Sequence, residues 1–278
     1  MQTGVTLPQA SRQRSTFRTL RPICLAAPLL LCQACSSGNS VTNPSQPAVL
    51  FSLRPEFVGL GVTSSFTPPP VQNQDYKEGT VVTYKFTATD GTSDVLVTLD
   101  SGTVPATGTV TMNRAHVFRA AINTNPGSHA PDFVGQTADG RTVHLTDYRG
   151  KVVVADFSEQ TCPGSNTAAP ILQSIYNSYR SRGVEVITIL VNCPGLHNCP
   201  LNAPSPAADL RTWQQRYGLS FQLVSDVSNA TAIYNFSSVT LVTDFPAGYI
   251  IDGSGVIRSR VGSFEDTPVR ASLDALLK

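Results

Sequence analysis

The sequence predicts an α/β fold, a central sheet flanked by helices, preceded by a small all-β domain. Three observations carry this expectation. In Val82, Tyr84, Phe86 and Ala88 the larger side chains alternate with Thr83, Lys85 and Thr87, the period-two pattern of a strand with one buried face. Residues 151–157 and 184–192 form two mostly apolar runs, as expected of parallel strands covered on both sides. Each run is followed by a segment of helical periodicity, 168–182 and 207–217, and strands alternating with helices imply a parallel sheet.

The chain of 278 residues is 41% hydrophobic and 14% charged, an ordinary globular balance that excludes disorder over most of its length. Its formal charge of +1 is uneven, because Arg12, Arg14, Arg18 and Arg21 lie in a head that contains no acid. Without residues 1–34 the body carries a net charge of −3. Such a body has no electrostatic footprint for nucleic acid.

The head has the order of an export signal. A basic stretch ends at Arg21, an apolar run covers Ile23 to Leu31, and Cys32-Gln33-Ala34-Cys35-Ser36-Ser37 follows. Charged, apolar and small residues in that order predict a signal peptide over 1–34. The apolar run is too short to span a bilayer core of roughly 30 Å as a helix. The junction resembles a bacterial lipobox, with Ala34 before a lipidated Cys35, although Cys32 stands where that motif prefers Leu. A lipid anchor at Cys35 and a plain signal peptide remain two readings. Both take the mature chain out of the cytoplasm, periplasmic or at the cell surface, where disulfides persist.

Residues 35–47 are polar and rich in turn formers, a tether by composition. From 48 to 122 the sequence reads as short strands. Asp90-Gly91 marks a turn, Val95, Val97 and Leu99 resume the alternation, and 108–113 and 115–122 supply two more strands. The pattern predicts a sandwich of immunoglobulin type. Arg114, His116 and Arg119 read as surface residues of an edge strand. The turn-rich stretch 123–129 reads as a linker.

The second domain is expected over 130–278. Ile171, Leu172, Ile175, Tyr176 and Tyr179 recur at helical spacing until Gly183. Later, 249–251 and 256–260 flank Asp252-Gly253-Ser254-Gly255 as a hairpin, and 267–277 is a last helix. The landmarks run in order: Ala130-Pro131-Asp132-Phe133, Asp139-Gly140, Leu145, Tyr148-Arg149-Gly150-Lys151, Phe157, Cys162 five residues on, Pro170 eight further, then Val242-Thr243-Asp244-Phe245-Pro246. In this order they resemble the thioredoxin-like redoxins of the TlpA/ResA type, with AhpC/TSA peroxiredoxins as relatives. The resemblance implies a thioredoxin-like fold and a reactive cysteine, Cys162. It departs at the motif itself, where the family's Cys-x-x-Cys reads Cys162-Pro163-Gly164-Ser165.

A cysteine at a helix N-terminus faces unsatisfied amides and the positive end of the dipole, both of which favour the thiolate nucleophile. Pro163 suits the first turn, where its missing N–H costs nothing. Ser165 is placed one turn on, to donate a hydrogen bond to the sulfur, but it cannot form a disulfide. By the resemblance, Pro246 is the cis-proline that shapes the substrate groove. Asp156 is the buried acid that would assist the missing second cysteine; a locally paired strand acid is the alternative.

Three readings compete for Cys193-Pro194-Gly195-Leu196-His197-Asn198-Cys199. The two cysteines close a structural disulfide, or one of them resolves a mixed disulfide at Cys162, or Cys193, His197 and Cys199 hold a soft metal. With Cys35 lipidated and the head removed, three cysteines remain, so at least one is unpaired in a monomer. Against peroxidase work, Ala155 and Glu159 hold the places of the Pro and Thr usual in peroxiredoxins. The sequence thus points to an extracytoplasmic thiol-disulfide oxidoreductase without a cofactor, acting on thiols or disulfides of envelope proteins. A peroxidase acting on peroxide and a redox-inactive binding lipoprotein are the alternatives.

Overall fold

The computed structural model describes residues 47–191, 205–228, 230–235, 245–262 and 264–278. Residues 47–278 cluster into one compact unit. Its first part contains eight strands: β1 (Leu50–Phe57), β2 (Val62–Thr67), β3 (Asp75–Lys77), β4 (Val81–Ala88), β5 (Val95–Leu99), β6 (Gly102–Val104), β7 (Thr107–Thr111) and β8 (His116–Ile122). They form a five-stranded sheet, β3-β1-β8-β5-β6, and a three-stranded sheet, β2-β4-β7. Alternate residues of β4 are buried because one face meets the other sheet. Leu53, Val82, Tyr84, Phe86, Val97 and Phe118 share that core, and the Tyr84 and Phe118 rings lie 4.5 Å apart.

The strand carrying His116 and Arg119 is central, contrary to the expectation of an edge. It pairs in parallel with β1 and antiparallel with β5, so inward-facing positions are enclosed. His116 is 6% exposed, and its Nδ1 lies 2.6 Å from Asp100 Oδ2. Arg114 pairs with the same carboxylate and Arg119 with Glu56. Alternation alone cannot distinguish an edge strand from a central one, since partners on both sides come from distant sequence.

The segment 123–129, expected as a linker, is bound into the structure. Asn123 N–H donates to the Asp94 carbonyl, Gly127 N–H to Ile257, and Ile257 N–H back to Ser128. Thr124 and Ser128 are buried. His129 N–H also donates to the Asp94 carboxylate, at 3.0 Å.

The second part contains β9 (Val134–Gln136), β10 (Thr142–His144), β11 (Val152–Glu159), α1 (Pro163–Tyr179), β12 (Val184–Val191), α2 (Ala207–Tyr217), β13 (Gln222–Asp226), α3 (Ala230–Asn235), β14 (Ala247–Ile251), β15 (Ile257–Val261) and α4 (Asp266–Leu276). The seven-stranded sheet has the order β10-β9-β13-β12-β11-β14-β15. The three central strands are parallel, β14 runs antiparallel to β11 and β15 antiparallel to β14, so the sheet is mixed.

Every residue of β11 is buried because both faces are covered. Val152 and Val154 pack with Leu172, Ile175, Trp213 and Leu273 from three helices. Val153, Ala155 and Phe157 face the other way, with Phe133, Tyr234 and Tyr249. Helix α1 starts five residues before its apolar periodicity does, because Cys162 is its N-cap residue and Pro163 occupies the first turn. It ends in a short 3-10 turn closed by Gly183, whose φ of +86° needs glycine. The hairpin of β9 and β10 and the short helix α3 were not legible in the apolar pattern.

Candidate functional site

The C-terminal ends of the parallel strands define one edge of the sheet, where open α/β sheets place their chemistry. β11 ends there at Glu159, and the chain turns through Gln160 and Thr161 into α1. Cys162 N–H donates to the Glu159 carbonyl at 3.2 Å, and Asn166 N–H closes the first helical turn on the Cys162 carbonyl at 3.0 Å. This geometry puts the sulfur at a helix N-terminus, beside amides that have no intrahelical acceptor.

Cys162 is 7% exposed, and it is a free thiol. Its Sγ donates to the Phe245 carbonyl at 3.3 Å, and the Phe245–Pro246 peptide is cis. Gly164 fits tightly here: a methyl group in place of its hydrogen would stand 3.0 Å from Pro246 Cδ and 3.2 Å from the Phe245 oxygen. Cys162, Gly164, Phe245 and Pro246, distant in sequence, therefore form one small surface around the sulfur.

Ser165 is fully buried. Its Oγ accepts the Glu159 N–H at 3.1 Å, rather than making the bond to sulfur that its spacing suggested. At this position the hydroxyl serves the turn.

Asp156 lies three residues before the strand end, in register with Thr188 on one side and Gly248 on the other. It is 1% exposed. It accepts hydrogen bonds from Thr188 Oγ1 at 2.7 Å and from Ser158 Oγ at 2.8 Å. Loss of hydration pushes its carboxyl up to about 7, against the lowering effect of those two hydroxyls. A buried acid that exchanges its proton near neutrality thus lies beneath α1.

Cys193, His197, Cys199 and Cys35 lie outside the described residues. The strand leading to the first of them is described: Val191 is in register with Glu159, so β12 ends beside the turn that carries Cys162. Among the described residues no cluster of three His, Cys, Asp or Glu side chains is placed to hold a metal ion. A groove of about 450 Å³ lined by Arg141, Tyr148, Tyr176, Glu185 and Gln222 opens where β12 and β13 begin, at the edge opposite the sulfur. It contains no cysteine, whereas the surface around Cys162 carries a thiol.

The residue that sequence reasoning passed over is Glu159. It entered only as an unexpected occupant of a peroxiredoxin threonine position, yet it is 1% exposed and bonded to the turn on several sides. An acid ending a mostly apolar strand was the available signal, since a buried carboxylate requires donors.

Residues 126–260 match the family model of the AhpC/TSA family. The thiol-disulfide oxidoreductase ResA of Geobacillus thermodenitrificans is 28% identical over 167 residues, covering 58% of this chain and 84% of the relative. The ResA of Geobacillus kaustophilus is 28% identical over 155 residues, covering 54% of this chain and 77% of that one. Among solved structures, the thiol:disulfide interchange protein DsbE from Chlorobium tepidum is similar with a TM-score of 0.45 at 18% identity, covering 56% of this chain and all of that one.

Proposed function

The C-terminal region is a thioredoxin-like redoxin of the ResA type, and from that premise we propose that the protein is an extracytoplasmic thiol-disulfide oxidoreductase whose nucleophile is Cys162. The observation that carries this reading is the free thiol at the N-terminus of α1, 3.3 Å from the carbonyl that precedes Pro246. The thiolate attacks one sulfur of a substrate disulfide, the substrate S–S bond breaks, and the departing thiolate takes up a proton. A mixed disulfide to Cys162 is left.

Ser165 cannot resolve that intermediate because it has no sulfur. A second thiol must do so, from Cys193, from Cys199 or from a partner protein. Asp156, beneath the helix, is available as a local proton acceptor. The Phe245 and Pro246 backbone receives an extended substrate segment. The substrates are thiols or disulfides of envelope proteins, and no cofactor takes part.

The organisation proposed with it is a signal peptide over 1–34, a lipid on Cys35, a tether over 35–47, a sandwich over 48–122 that spaces the redoxin or binds a partner, a connecting segment over 123–129, and the redoxin over 130–278. Metabolic labelling with a radioactive fatty acid tests the anchor. Incorporation lost in Cys35→Ala supports it, and incorporation into neither form removes it.

The decisive experiment on function is a disulfide map of the unreduced mature protein, combined with assays of insulin reduction and peroxide consumption. A bond from Cys162 to Cys193 or Cys199, with insulin reduction, is the expected result. Peroxide consumption without insulin reduction favours a peroxidase. A Cys193–Cys199 bond, a free Cys162 and neither activity would leave a binding lipoprotein.

A further inference from the structure

Three polar groups of Glu159 are taken up by the turn that carries Cys162. Its carbonyl accepts the Cys162 N–H at 3.2 Å. Its N–H donates to Ser165 Oγ at 3.1 Å. Its Oε2 accepts both the Thr161 N–H at 2.9 Å and the Thr161 hydroxyl at 2.8 Å. Residues 159–165 are therefore closed into a loop at both ends and pinned in the middle, with the sulfur between the pins.

Backbone groups would close such a loop whatever residue stood at 159, so the backbone bonds leave the carboxylate unexplained. Glu159 is the last residue of a strand that is otherwise mostly apolar and buried throughout. An acid there costs free energy unless donors compensate it, and two of the donors it receives are those of Thr161, the residue next to Cys162. We infer that Glu159 is a positioning residue whose carboxylate holds the Cys162 turn closed, so that the thiol stays against the Phe245 carbonyl and is exposed only when the turn opens. This rests on Cys162 being the nucleophile for its functional meaning, but the contact itself can be tested without any exchange activity.

A buried thiol reacts with a small reagent in proportion to the population of locally opened molecules. Alkylation of Cys162 by iodoacetamide in the mature protein, reduced and freed of reductant beforehand, followed by mass spectrometry of its peptide, reads that population. Glu159→Gln retains an oxygen that accepts both Thr161 donors, whereas Glu159→Leu retains none. The expected result is alkylation about tenfold faster in Glu159→Leu and within about twofold of wild type in Glu159→Gln, the scale of one hydrogen bond to a charged group.

Equal rates in Glu159→Leu and wild type overturn the inference. So does a Glu159→Gln rate matching Glu159→Leu, because charge rather than hydrogen-bond acceptance would then matter. If circular dichroism shows Glu159→Leu unfolded, Thr161→Val at an exposed position decides instead. It removes only the hydroxyl donor, and its expected rise is about threefold; no rise overturns the inference. A protein with the expected alkylation pattern but no reaction with insulin or peroxide would refute the proposed function and leave the role of Glu159 standing.

Discussion

At Asp156 the side chain is cut off from water, and that loss raises its carboxyl from 3.8 to about 7 in the folded protein. Because the folded state binds this proton more tightly than the unfolded chain, the group favours folding below about pH 4, and the contribution is lost as pH rises through 7. A shift of this size corresponds to a stability loss on the order of 4 kcal/mol by pH 8. Asp156→Asn cannot ionise, so we expect its urea midpoint to exceed that of wild type at pH 8 and the gap to close near pH 4. A gap that widens on acidification would contradict the sign. The substitution at Ser165 is a second matter of single side chains. Ser165→Cys supplies the second sulfur of the motif, and we expect it to form an internal disulfide on air oxidation and to reduce insulin faster than wild type. A variant that still carries two free thiols after oxidation would show that the turn cannot close the bond.

Among the elements, the junction of α1 with the Phe245–Pro246 segment is tight. Ala in place of Gly164 gains helix propensity of about 1 kcal/mol, yet its methyl group would meet Pro246 Cδ at 3.0 Å. The proline segment has to move by a few tenths of an ångström away from the sulfur. Gly164→Ala should therefore keep or raise the melting temperature while slowing exchange at Cys162 by roughly three- to tenfold, since positioning errors cost rate steeply. Unchanged exchange would mean that the segment yields without consequence. At Gly248 the conflict falls on the core instead. A Cβ there would lie 2.3 Å from Phe264 Cζ, so Gly248→Ala should destabilise by about 1–3 kcal/mol, as measured by denaturant unfolding.

Over the whole molecule, the sandwich and the redoxin region are continuous within one compact unit. The stretch joining them donates a backbone hydrogen bond to Asp94 in one region, and both donates to and accepts from Ile257 in the other. Proteases cut where backbone is free to enter their clefts. Limited digestion of the mature protein with proteinase K or subtilisin, whose specificity is broad enough to cut within 123–129, should therefore leave that stretch intact while other loops are cut. Early cleavage there, giving two stable fragments, would show that the joint opens readily.

Strand and helix placement in the redoxin region was legible because β11 and β12 are mostly apolar and α1 and α2 follow the helical period, local signals that burial on both faces makes strong. The position of the proposed nucleophile was legible too, since Cys162, Pro163 and the later Pro246 stand at recognisable spacing. What tertiary structure decided were pairings between groups far apart in sequence. It placed β8 inside its sheet, gave Ser165 to the Glu159 amide, set the thiol against Phe245 and turned a turn-rich linker into a bonded seam. Periodicity records which face of an element is dry, whereas the identity of a partner across space depends on how the sheets and loops close. For that reason Glu159, an odd acid at the end of a strand in the sequence, becomes intelligible only when Thr161, Cys162 and Ser165 are folded around it.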